Sequence, residues 1–168
     1  MDQPQRVNRV VLTALTYTGE GSPTLADRAK QLEFYRTHNR RPRDTAMIHS
    51  IFTRDKSGTS DPAVGDALAG AELRYGDSVP TGTYLDMTAN LPLLDPTKVL
   101  APVQIVRGEY DGIATVADLE DFYNQLPNGD RQFVIVPGAA HSLVLAINRQ
   151  LFWHAMNSFL TMPAPVAT

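Results

Sequence analysis

At 168 residues the chain is the size of one domain and long enough to bury a core, and 43% hydrophobic against 20% charged residues is the balance of a soluble globular protein, not a disordered one. A formal net charge of −3 without a basic block removes the electrostatic footprint of a nucleic-acid binder. The absence of cysteine excludes disulfides, thiol nucleophiles and cysteine-held metals, and no stretch approaches the roughly 20 apolar residues of a membrane span.

The opening residues Met1 to Arg9 carry no apolar segment of a secretory signal, so a cytoplasmic protein is the default expectation, unless a signal belongs to a missing upstream part. The first predicted element is a strand over Val7 to Leu15, centred on Val10, Val11 and Leu12, with a polar loop from Thr16 to Pro23 beyond it. Leu25, Ala29, Leu32 and Tyr35 then share one helical stripe, which Asn39 to Pro42 breaks. Met47, Ile48, Ile51 and Phe52 predict a short helix before the turn at Arg54 to Gly58. Asp61 and Pro62 read as a helix start, a capping acid before proline at the first helical position, and the helix should run through Val64, Leu68 and Tyr75 to Gly76. A further helix is expected over Tyr84 to Leu91. From about residue 20 to 98 the pattern therefore offers helices and no convincing strand.

The residues that can do chemistry follow. Pro102 to Gly108 is a short apolar run suited to a strand covered on both faces of a parallel sheet, and Asp111 lies three residues past it. Val116, Leu119, Phe122, Tyr123 and Leu126 form one helical stripe, with Thr115 and Asp118 placed as an N-cap pair. Phe133 to Val136 is a second buried strand, ended by Pro137 and Gly138 and followed by Ala139, Ala140, His141 and Ser142. Two parallel strands joined by one crossover finish on the same edge of the sheet, about 4.8 Å apart when they are neighbours, and open α/β sheets bind ligands outside that edge. Asp111 and His141 are therefore expected to meet there. A carboxylate that accepts one imidazole N–H fixes the tautomer and leaves the other nitrogen to take a proton from a nucleophile, so these two are the candidate catalytic residues. Glu109 is the rival acid, and Asp111 with Gly112 is also ordinary turn chemistry. The last helix, Asn148 to about Leu160, should pack through Leu151, Phe152, Ala155, Met156 and Phe159.

The other polar residues suggest less. His38, His49 and His154 have no partner pattern and read as surface or helix-packing residues; Ser142 reads as a turn or cap residue. Arg40, Arg41 and Arg43 could hold an anionic substrate, though a solvated surface is the plainer reading. No set of zinc ligands assembles, the glycines form no dinucleotide or phosphate-loop fingerprint, and no cofactor is expected.

The run from Ala101 to Gly112 (Ala-Pro-Val-Gln-Ile-Val-Arg-Gly-Glu-Tyr-Asp-Gly) and the run from Val134 to Ser142 (Val-Ile-Val-Pro-Gly-Ala-Ala-His-Ser) together resemble the C-terminal half of an α/β-hydrolase. The resemblance implies an α/β class and a partial α/β-hydrolase fold, with three parallel strands, crossover helices and a helical lid insertion. Val7 to Leu15 would be the family's sixth strand, Asp111 the triad acid after the seventh and His141 the histidine after the eighth. Residues 1–19 would be the first core strand and its loop, 20–98 the lid or cap, and 99–168 the C-terminal core that carries acid and histidine, together one domain. In that family the nucleophile comes first in the chain, on a G-x-S-x-G elbow. The elbow does not occur in this sequence, and Gly19 to Pro23 lacks its second glycine.

The implied activity is serine-type and esterase-like, on ester or related acyl bonds, with this chain supplying acid, general base and lid. The first strand would leave a bare edge, so the implied partner is a missing N-terminal half that bears the nucleophile, or a second copy of this chain. The alternative is a non-catalytic half-fold, a dimerising interaction module that binds a small apolar molecule. Both readings expect a small-molecule substrate or ligand, with no nucleic acid and no membrane.

Overall fold

The computed structural model describes residues 6–166. In chain order the elements are β1 (Val10–Thr13), α1 (Pro23–Ala29), α2 (Leu32–Thr37), β2 (Arg40–Pro42), α3 (Thr45–Thr53), α4 (Pro62–Glu72), β3 (Ser78–Pro80), α5 (Gly82–Ala89), β4 (Val103–Gly108), α6 (Val116–Gln125), β5 (Arg131–Val136) and α7 (Arg149–Leu160). The fold is α/β, with a main sheet of three parallel strands in the order β1, β4, β5.

β4 is the axis of that sheet because it is the strand with a neighbour on each side, and all six of its residues are buried. Its side chains alternate between two helical layers, as the period of a strand requires. Val103 and Ile105 pack with Leu119, Phe122 and Leu126 around α6, and Val10, Leu12 and Phe133 of the flanking strands join them. Val106 packs on the other face with Val136, Leu143 and Phe152 of the α7 layer, beside Val11 and Val134. Phe122 and Phe159 are fully buried, and each such side chain contributes about 1.5–3 kcal/mol of hydrophobic stabilisation. Gln104 is the polar intruder on β4; its amide donates to Gln132 Oε1 at 2.9 Å and to the Ala155 carbonyl at 3.1 Å. α7 packs through Phe152 and Phe159, whereas Leu151, expected on the same face, is 44% exposed. At about 100° per residue, the stripe set by residues 152, 155, 156 and 159 turns position 151 away.

Between β1 and β4 the chain makes a long helical insertion, which differs from expectation in two places. The stripe from Leu25 to Tyr35 is split into α1 and α2, where Lys30 and Gln31 donate to carbonyls three residues back. Bonds of that span tighten the turn and re-aim the chain. Residues 40–42 and 78–80 pair as a small antiparallel ribbon of β2 and β3. Prolines at both 42 and 80 and arginines at 40 and 41 hide it from a pattern search, since proline is tolerated only where no ladder donor is needed. Arg40 closes the ribbon by donating to Ser78 Oγ at 2.8 Å and to the Ser78 carbonyl at 2.6 Å.

Side-chain caps start α3 and α4, the next helices of the insertion. Asp44 accepts from the Met47 N–H at 2.8 Å at the start of α3, and Asp61 from the Ala63 N–H at 2.9 Å at the start of α4. Ile48, Phe52 and Ala69 between these helices make a small core of their own, and Leu145, from beyond β5, packs against it. The Ile147 N–H also donates to the Thr59 carbonyl at 2.9 Å. The insertion is thus fastened to the segment that follows His141. No helix among the described residues is long and apolar enough to cross a membrane.

Candidate functional site

The main sheet continues to organise the chain past the ends of its strands. Beyond β4 and β5 the Glu109 N–H donates to the Val136 carbonyl at 3.0 Å and the Tyr110 N–H to the Ala139 carbonyl at 2.9 Å. The Glu109 carboxylate accepts from the Gly138 N–H at 2.8 Å, so this rival acid is a latch between the two loops. Gly108 is required by close approach: a Cβ there would lie 2.6 Å from the Ala139 carbonyl oxygen and closer still to that of Ala140. Only a residue without a side chain lets the segment before His141 lie against the end of β4.

Asp111 sits in a turn held from below. Arg107, buried at the end of β4, donates from Nη2 to the Asp111 carbonyl at 2.7 Å and to the Ala114 carbonyl at 3.3 Å. The Asp111 carboxylate accepts from the Ile113 N–H at 2.9 Å. Its outer face meets His141, with Nδ1 lying 3.1 Å from Oδ1 and 3.3 Å from Oδ2. The Asp111 side chain is 1% exposed and that of His141 23%. An ionised carboxylate only accepts hydrogen bonds, so the Nδ1 proton belongs to the imidazole and Nε2 is left as the basic nitrogen. Nε2 has no hydrogen-bond partner among the described residues, and His141 lines a cleft of about 430 Å³ with Ala14, Val79, Pro80, Met87 and Ile113. Ala14 adopts a φ of 54°, a left-handed conformation that is uncommon outside glycine.

Asp118 departs from its expected part. Thr115 Oγ1 does cap α6 by accepting from the Asp118 N–H at 3.1 Å, but the carboxylate does not return to the cap. It is buried beneath the loop that leaves β1, where it accepts from the N–H groups of Tyr17 at 2.9 Å, Thr18 at 2.8 Å and Gly19 at 3.3 Å, and from the Thr18 hydroxyl. Successive backbone N–H groups around one anion make a nest. This one ties the β1 loop to the first turn of α6.

Asp55 is another participant that the sequence did not reveal. It was part of a polar turn, yet its side chain is 2% exposed and ion-paired with Arg54 at 2.7 Å. A Cβ on Gly112 would come within 2.6 Å of its Oδ1, so the insertion touches the acid-bearing turn through this carboxylate. Burial acts to raise the Asp55 pKa, but the hydrogen bonds and charge of Arg54, the Gly112 N–H and the charge of His141 together hold it below the ordinary carboxylate value.

The remaining sequence candidates lie apart from this centre. His49 pairs with Asp66 at 3.1 Å, His38 stacks on Phe34 at 4.3 Å between ring centroids, and His154 is exposed. Arg43 pairs with Glu72, and Ser142 begins a short 3-10 turn over Leu143–Leu145. Among the described residues, no group of three or more His, Asp or Glu converges as a metal site.

Neither the family models nor the curated proteins contain a match to this chain. Solved structures do. A soluble variant of monoglyceride lipase from Saccharomyces cerevisiae, in complex with a substrate analogue, superposes with a TM-score of 0.58 at 17% identity, over 89% of this chain and 54% of its own. The hydrolase of E-2-(acetamidomethylene)succinate gives 0.61 at 20% identity, over 95% and 59%. A thermophilic esterase from Thermogutta terrifontis, with malate bound, gives 0.60 at 18% identity, over 94% and 57%. At these identities the likeness establishes the fold, and the chain spans little more than half the length of the structures it matches. It is a partial α/β-hydrolase fold.

Proposed function

We propose that this chain supplies the acid, the general base and the lid of a serine-type α/β-hydrolase that cleaves ester or related acyl bonds, with the nucleophile carried by the N-terminal half of that fold. The observation that carries the reading is the Asp111–His141 hydrogen bond at 3.1 Å, made beyond the carboxyl ends of adjacent parallel strands, with the second imidazole nitrogen unpaired at a cleft. The lipase, hydrolase and esterase among the structural neighbours support the same class of reaction.

In the proposed cycle His141 Nε2 takes the proton from the nucleophile's hydroxyl as that oxygen attacks the acyl carbonyl. The proton then passes to the departing alkoxide or amine. A water molecule next surrenders a proton to the same nitrogen and attacks the acyl-enzyme, and the proton returns to the nucleophile as the acid leaves. Asp111 keeps Nδ1 protonated and balances the imidazolium charge formed in each half of the cycle. β3 and α5 of the insertion line the cleft through Val79, Pro80 and Met87, and as a lid in this cycle the insertion would limit the access of water. The N-terminal half would add a strand along β1, whose strand partner among the described residues is β4.

A serine-directed covalent probe tests this against the chain alone and against the chain co-expressed with a nucleophile-bearing upstream polypeptide. Labelling is expected only in the second case. In the reconstituted enzyme His141→Ala should lower turnover of an aryl ester by about 10⁴-fold, and His154→Ala should leave it unchanged. Comparable losses from both substitutions, or full turnover in His141→Ala, would sink the proposal.

A further inference from the structure

Beside the His141 cleft lies a second cavity of about 570 Å³, framed by α1, α2, β2, α3 and the acid-bearing turn, and three arginines line it: Arg28, Arg41 and Arg54. Arg54 is neutralised within the fold by Asp55. Asp27, the other acid on the lining, is engaged by Lys30 at 2.6 Å. Arg28 and Arg41 have no carboxylate partner among the described residues. Each instead leans on the ring of Tyr84, at 5.2 and 4.7 Å from its centroid, and Arg28 Nη1 adds a contact to Met87 Sδ at 3.3 Å.

Two half-buried guanidiniums drawn to one ring are like charges, and an anion within reach of both would offset their repulsion. Burial is the main cause that lowers the Arg28 pKa from the ordinary arginine value; the charge of Arg54 adds to it, Tyr84 and Tyr35 oppose it, and the charge of Arg41 contributes least. Arginine forks match carboxylates in geometry as well as in charge. Arg28 is also the arginine shared between the two cavities, since it lines the His141 cleft as well. A ligand whose anionic end lies at Arg28 and Arg41 can therefore extend its uncharged body along Met87 and Ile113 to His141.

We propose that the arginine-lined cavity is an anion subsite, and that the acyl substrates of this site carry a carboxylate at the end remote from the scissile bond. The assignment of the ligand's other end rests on the hydrolase reading above; the binding of the anion does not. The uncharged cleft would accept the ester portion, and the pair of arginines would discriminate against neutral diesters by leaving two cations unpaired in their complexes.

Calorimetric titration of the purified chain with monomethyl adipate, and with dimethyl adipate as the neutral counterpart, tests this at fixed ionic strength. The half-ester should bind saturably and about tenfold or more tighter than the diester, the discrimination expected of a charge-assisted hydrogen bond. Arg28→Gln and Arg41→Gln should each weaken the half-ester about tenfold and leave the diester unchanged, while Arg41→Lys retains part of the preference. Should Arg28→Gln fail to fold, Arg41→Gln alone decides, because among the described residues the Arg41 side chain makes no hydrogen bond or ion pair that the substitution would break. Equal affinity for the two probes, binding of neither, or undiminished half-ester binding in Arg41→Gln overturns the proposal. Displacement of the half-ester by inorganic phosphate at equal affinity overturns the carboxylate assignment. The imidazole NMR signals of His141, compared between the wild type and Asp111→Asn without any probe, report on the hydrolase reading separately.

Discussion

The segment from β4 to His141 and the insertion from α1 to α5 are held together by different means. The first is organised around one strand with six consecutive buried residues, and its two loops continue the pairing of the sheet in backbone hydrogen bonds. The second consists of short helices and a ribbon of two three-residue strands, with a small core of Ile48, Phe52 and Ala69 and side-chain caps from Ser22, Asp44 and Asp61. The distance between Asp111 and His141 is therefore set by the sheet, while the walls of the cleft beside them are set by the insertion. Stability and local opening should divide along the same line.

The sharpest test of that division is a pair of like substitutions. Phe122→Ala, in the core under β4, should cost about 3–5 kcal/mol in denaturant unfolding and do so cooperatively. Phe52→Ala, in the insertion, should cost no more than about 3 kcal/mol and release amide protons of α3 and α4 while those of β4 stay protected. If β4 exchanges together with α3 in that variant, the two regions are one cooperative unit and the contrast fails.

The next effect concerns the join between them. Asp118→Ala removes the acceptor of three backbone N–H groups and should cost about 3 kcal/mol; accelerated amide exchange at residues 17–19 would locate the loss. Gly108→Ala should cost about 1–3 kcal/mol, since the added methyl meets backbone oxygen that cannot rotate aside. It should also shift the His141 imidazole resonances, because the histidine segment must retreat from Asp111. Unchanged resonances would mean that the pair is not fixed by this approach.

The smallest expected effect is that of acid. Asp55 has its pKa lowered in the fold, so its stabilising contribution is present above the unfolded value of about 3.9 and is lost as the pH falls through the lower folded value. The stability difference between wild type and Asp55→Asn, about 1 kcal/mol near neutrality, should therefore shrink below about pH 4. A difference that stays constant to pH 2 would remove Asp55 from the docking of the insertion.

The sequence made the strand–acid–helix–strand–histidine unit readable for a physical reason. β4, covered on both faces, leaves a short apolar run, whereas β5, expected to be buried as well, is an edge strand with Ile135 45% exposed. Because parallel strands must finish on one edge, the positions of Asp111 and His141 still followed from topology without knowledge of side-chain contacts. The same reasoning had nothing to say about Asp118, because an acid in the first turn of a helix has a sufficient local explanation and its true partners are some hundred residues away. Asp55 was hidden in the same manner inside a polar turn, and Arg28 inside a helical stripe. Arg107 did leave a trace: a cation within a buried strand calls for carbonyl partners, and the turn after the strand provides them. The β2–β3 ribbon left none, since its arginines and prolines carry no strand pattern.

The close passage of Ala139 and Ala140 over Gly108 has a consequence for descent. Because this contact is between main-chain atoms, the placement of Asp111 and His141 depends on a single small residue and on ladder geometry, with the Arg107 and Glu109 side chains holding the two loops in support. A lineage can thus rewrite the insertion that lines the cleft, one codon at a time, while the Asp111–His141 pair stays in place at the end of the sheet.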